Sequence, residues 1–124
     1  MKATIAFKLD NTVDTAMSEA FELPDWAKEC SIQIPTIVTG TVGFQFMKEA
    51  DVTAAKLVAD QNTDWVDVVV SIDSVGNLTI GYDGTGAVVV QMGPFIRGLG
   101  KGMLRVVCGG VQNAVTQWYA HFAG

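Results

Sequence analysis

Arg97-Gly98-Leu99-Gly100-Lys101-Gly102 is the stretch whose residue types most invite a chemical reading. Glycines let backbone N–H groups approach an anion closely, and Arg97 and Lys101 add positive charge. The spacing argues otherwise. A phosphate-binding loop needs GxxxxGK, then Ser or Thr, then a helix, whereas here Gly102 follows Lys101 and an alternating apolar run comes next. The stretch is expected to be a basic connecting loop that makes contacts. His121 is the only histidine, and nothing in the sequence links a nucleophile and an orienting carboxylate to it, so it reads as a surface or edge residue. The acid pairs Asp60/Asp64 and Asp64/Asp67 have no spacing specific to acid–base catalysis. Cys30 and Cys108 sit in separate alternating runs and read as buried thiols rather than a disulfide; no second Cys or His stands beside either to form a metal site. The expectation is no catalytic residue, no metal and no cofactor.

What remains is contact chemistry. Trp26, Trp65, Trp118, Tyr82 and Tyr119 have two readings: core and interface anchors, or a platform on which the C–H face of a sugar stacks. Composition favours the first. Of 124 residues, 49% are hydrophobic and 17% charged, against about 25% charged in an ordinary soluble domain. A small domain so poor in charge is expected to have part of its surface covered by another molecule, either its own copies or a larger scaffold. The opposing reading is a merely apolar monomer. Formal charge is −5, and all 13 acids lie in residues 1–83, whereas residues 84–124 carry only Arg97, Lys101 and Arg105. That asymmetry can steer docking, and the overall acidity argues against nucleic-acid binding. No run approaches the ~20 apolar residues of a membrane span, and the patch before Lys8 is too short for a secretory leader, so folding in the cytosol is expected. Asn77-Leu78-Thr79 then matches the glycosylation pattern only by chance.

The elements that must position these residues read as strands. Ala3 to Leu9 alternates, with Ala3, Ile5, Phe7 and Leu9 on one face. Asp10-Asn11-Thr12 supplies a turn, and Met17 to Leu23 alternates again. Cys30, Ile32 and Ile34 share a face before Pro35, and Val42, Phe44 and Phe46 form the next core stripe. Residues 51–62 suit a short helical turn with Asp51 as candidate cap, or an extended loop. Strands are then expected over Trp65 to Ile72, Leu78 to Tyr82, Ala87 to Met92, Met103 to Cys108 and Val115 to Phe122. Turns are expected at Ser74 to Asn77 and Asp83 to Gly86, and Gly93-Pro94 should break the ladder. On the last strand Trp118, Ala120 and Phe122 oppose Gln117, Tyr119 and His121. One all-β domain over residues 1–124 follows, an antiparallel two-sheet β-sandwich of jelly-roll or immunoglobulin-like type with eight or nine strands.

Four segments in order are Ser31-Ile32-Gln33-Ile34-Pro35, Gly40-Thr41-Val42-Gly43-Phe44-Gln45-Phe46, Asp64-Trp65-Val66-Asp67-Val68, and Leu104-Arg105-Val106-Val107-Cys108-Gly109-Gly110-Val111-Gln112-Asn113. In this layout the chain resembles the small β-sandwich virion proteins of tailed bacteriophages. It departs from them at Glu49-Ala50-Asp51-Val52, which lacks the glycine such modules often carry after this strand. The resemblance implies a virion structural protein, made in the host cytoplasm, that binds the major capsid protein or another virion protein as a decoration or cement. A homo-oligomer is implied, with a trimer as one form, and no enzymatic activity. Arg97, Lys101, Arg105, Trp118 and Tyr119 are the expected partner-binding residues. The alternative is a glycan-binding module, free-standing or at the tip of a phage fibre.

Overall fold

The computed structural model describes residues 1–12, 16–36, 42–53, 64–68, 88–93 and 99–124. Eight strands lie among these residues: β1 Lys2–Leu9, β2 Phe21–Leu23, β3 Glu29–Ile34, β4 Val42–Lys48, β5 Val66–Val68, β6 Val88–Gly93, β7 Gly102–Cys108 and β8 Thr116–Ala123. They form two antiparallel four-stranded sheets, ordered β1-β8-β3-β6 and β2-β7-β4-β5. The chain pairs as a folded-back hairpin, β1 with β8, β2 with β7, β3 with β6 and β4 with β5. Pairings of β3 with β8 and β4 with β7 complete the two sheets. That order is the jelly-roll arrangement, so of the two expected sandwich types the immunoglobulin-like one is set aside.

Alternation explains the core. Phe7 and Leu9 of β1, Cys30, Ile32 and Ile34 of β3, and Trp118, Ala120 and Phe122 of β8 turn inward and are buried. Val42 and Phe44 of β4 and Leu104, Val106 and Cys108 of β7 meet them from the other sheet. An aromatic chain spans the gap: Phe7 stacks on Phe21 at 4.3 Å and on Trp118 at 6.1 Å, and Phe21 meets Phe122 at 6.4 Å. The indole N–H of Trp118 donates to Thr116 Oγ1 at 2.8 Å, so the ring is buried with its polar atom satisfied. Cys30 and Cys108 are free and lie in opposite sheets. Burial pushes the Cys30 thiol up to about 12 and the Cys108 thiol up to about 11, so both stay protonated and inert at neutral pH.

Three expectations need correction. The second strand is only Phe21–Leu23, because the chain before it is shared between the sheets. Met17 makes one bridge to Val107 and Ser18 N donates to Val106 O, both in the second sheet, while Glu19 N donates to Lys8 O in the first. The buried Ser18 hydroxyl completes the crossing by accepting from Val106 N at 2.9 Å and donating to Glu19 O. Asp51 caps no helix within the described residues; it ends a 3-10 turn, Glu49–Asp51, and pairs with Lys48 at 3.7 Å. Gly102, placed in the loop by its sequence context, instead opens β7 and pairs with both Leu23 and Lys48. The expected strand Leu78 to Tyr82, the turns around it, residues 54–62 and residues 69–72 lie outside the described residues.

Two glycines of the basic stretch therefore have structural duties. Gly100 takes a φ of 75°, which side-chain-bearing residues rarely adopt. A Cβ on Gly102 would fall on the Met47 carbonyl oxygen and the Phe46 ring. Replacing Gly102 by Ala is expected to destabilise the protein by at least about 1–3 kcal/mol, read as a lower urea midpoint at unchanged slope.

Candidate functional site

The five expected contact residues do not converge. Arg97 lies outside the described residues. Lys101 is exposed just before β7. Arg105 stands on the face of β7 turned away from the core, yet only 1% of it is exposed. Its guanidinium carbon lies 4.3 Å from the centre of the Trp65 ring, and its Nε donates to Gln45 Oε1 at 2.9 Å. Gln45 Nε2 in turn donates to Asp67 Oδ1 at 3.1 Å. The register sets Asp67, Gln45 and Arg105 side by side across β5, β4 and β7, so the row is a built cross-strand relay under an aromatic lid. Arg105 is thus corrected from docking residue to structural residue. Trp118 is corrected as well, since it is fully buried between the sheets.

Tyr119, by contrast, faces outward. It is half-buried on the outer face of β8 and stacks beside His121, with centroids 6.4 Å apart and planes 19° from parallel. The alternative reading of the aromatics, a sugar-stacking platform, finds no such surface around it among the described residues. Trp65 is buried, Trp26 packs against the core, and Tyr82 lies outside the described residues.

A group that the sequence reading did not assemble surrounds His121. The register brings Thr4 of β1, His121 of β8 and Ser31 of β3 into one row, with Ala6, Tyr119 and Gln33 in the next. Thr4 Oγ1 lies 2.9 Å from Nδ1, and Gln33 Oε1 lies 3.1 Å from Nε2. A carbonyl oxygen only accepts, so Nε2 donates to Gln33 Oε1, and in the neutral ring Nδ1 accepts from the Thr4 hydroxyl. Alternation alone places each residue outward; what it lacks is the pairing of β1 and β3 on either side of β8, which joins residues up to 117 positions apart.

Hydroxyl, imidazole and amide here follow the order of a nucleophile, base and orienting group. Their strands commit the backbone of β8 to ladders on both sides, so its N–H groups lie in the sheet and not above the network, where an oxyanion would need donors. The arrangement holds an imidazole rigidly on an open sheet face. No group of three or more His, Cys, Asp or Glu able to hold a metal occurs among the described residues. No helix of the described residues is long and apolar enough to cross a membrane.

Comparison with protein-family models, curated proteins and solved structures finds no match.

The two basic residues of β7 and its approach separate by burial. Arg105→Ala removes a buried cation that Gln45 and Trp65 are arranged around, and is expected to cost on the order of 3 kcal/mol. Lys101→Ala is expected to stay within about 0.5 kcal/mol of the parent. Urea titrations of both variants check the contrast.

Proposed function

We propose that the chain is a virion structural protein, a capsid decoration or cement protein that docks on the major capsid protein of a tailed bacteriophage. The observation that carries this reading is the connection between β7 and β8, residues 109–115. Val111 is 64% exposed and Val115 is 51% exposed, and Asn113 and Ala114 between them are exposed too. No residue of the connection is charged. It is not a loose tip: Gln112 is buried, and its Nε2 donates to Gly110 O at 3.1 Å. A knob held in place before binding loses little freedom when it docks, and that raises affinity without additional area.

The other end of the sandwich differs in character. Lys101 precedes β7 there, beside the turn Glu49–Asp51, whose Glu49 N donates to Lys101 O. A strand's length, roughly 25 Å, separates this end from the valine tip. An apolar contact at one end and a charged one of mixed sign at the other, where Lys48 and Lys101 stand beside Glu49 and Asp51, suit a protein that bridges a joint between two capsid subunits. Charge complementarity at the Lys101 end would add orientation and salt sensitivity. The jelly roll is shared by viral capsid, lectin and cupin domains, so it permits this reading without selecting it. Low charge and the resemblance in strand layout weigh on the same side.

Heads grown without this chain provide the test. The purified protein should cosediment with them, and a Val111→Asp/Val115→Asp variant with unchanged circular dichroism should bind at least ~10-fold more weakly. Failure of the parent to bind, or full binding by the variant, rejects the reading.

A further inference from the structure

The outer face of the β1-β8-β3-β6 sheet carries an open depression of about 220 Å³. Its floor follows from the register. Lys2, Ala123 and Glu29 form one row across β1, β8 and β3, with Thr4, His121 and Ser31 in the adjoining row. Ala123 is the small member of its row, so a gap opens over it between two longer side chains. Adjacent strands lie about 4.8 Å apart, which puts the backbones of Lys2 and Glu29 roughly 10 Å from each other. No ion pair joins the two.

His121 supplies one wall. Residues 119, 121 and 123 follow one another on the same face of β8, and the imidazole lies nearly parallel to Tyr119. Its other ring face therefore looks over Ala123 into the depression. Thr4 and Gln33 hold both ring nitrogens, so the wall keeps its orientation without a ligand.

We infer that this depression is a binding site for a single neutral sugar ring, such as the terminal residue of a glycan. Four features converge on that class. A flat imidazole face suits the C–H face of a pyranose. The Glu29 carboxylate accepts from a pair of neighbouring hydroxyls, and the Lys2 ammonium donates to a third. One cation and one anion cancel, so the site does not select a charged ligand. The volume lies below the ~300 Å³ at which drug-sized pockets begin, and so admits one ring with the rest of a chain in solvent. The site is formed by the sheet face near the chain ends, away from the valine tip, so it stands or falls independently of capsid docking.

The test is titration of the full-length protein with methyl glucosides, galactosides and mannosides and with N-acetylglucosamine, following the His121 ring and Ala123 amide signals by NMR. Saturable shifts are expected for at least one sugar, with Kd on the order of 1–10 mM. Ala123→Leu fills the depression on an outward face and should weaken binding at least ~10-fold while leaving the rest of the spectrum unchanged; Glu29→Gln should weaken it less. Three results overturn the inference: no saturable shift with any sugar, binding that survives Ala123→Leu, or tighter binding of zwitterionic glycine, which would assign the facing charges to an amino acid.

Discussion

The ladder between β1 and β8 closes the molecule, and the rest of the structure depends on it. Eight consecutive pairs run from Lys2 opposite Ala123 to Leu9 opposite Thr116. They join the two ends of the chain, so everything between must fold back as a long hairpin wrapped into two sheets. The same register decides both faces at once. Inward it sets Phe7 beside Trp118 in one sheet, so that Phe7 can stack on Phe21 of the other; outward it sets Thr4 beside His121. A slip of one residue would exchange the two faces and place Lys8 and Thr4 in the core. Pairing so distant in sequence carries a high closure entropy and is typical of slowly folding all-β proteins.

Such a ladder leaves an edge, and the chain protects it. Glu19 acts as a one-residue strand against β1: its N–H donates to Lys8 O at 2.8 Å, and its carboxylate accepts from Lys8 N at 2.8 Å. Lys2 and Lys8 stand at the two ends of the outer face of β1. Were two copies to pair antiparallel along that edge about Ile5, Lys2 of one would lie opposite Lys8 of the other, a repulsive arrangement. Edge-to-edge growth along β1 is thus disfavoured.

The strand pattern was legible because half-buried strands announce themselves by alternation. The phase of β8 separates Trp118, Ala120 and Phe122 from Tyr119 and His121 without any structure, and it should have excluded Trp118 as a contact residue. Arg105 is a different case. Its phase correctly points it away from the core, and an arginine on an outward face is ordinarily solvated. Its burial depends on Trp65 and Gln45, which lie 40 and 60 residues earlier in the chain, and no local pattern reports that. The crossing at Ser18 was hidden for a related reason: Met17 to Leu23 alternates throughout, but its hydrogen bonds go to different sheets. The group around His121 needed strand order as well as strand phase, and sequence supplies only the phase.

The proposed capsid contact is made by an uncharged, pre-ordered tip at the β7–β8 end. Hydrogen–deuterium exchange of the protein free and bound to phage heads tests it most directly. The account predicts that the largest gain in protection falls on residues 109–115, with the outer face of β1, β8 and β3 unchanged. Protection concentrated on that sheet face, with residues 109–115 exchanging as in the free protein, would contradict it.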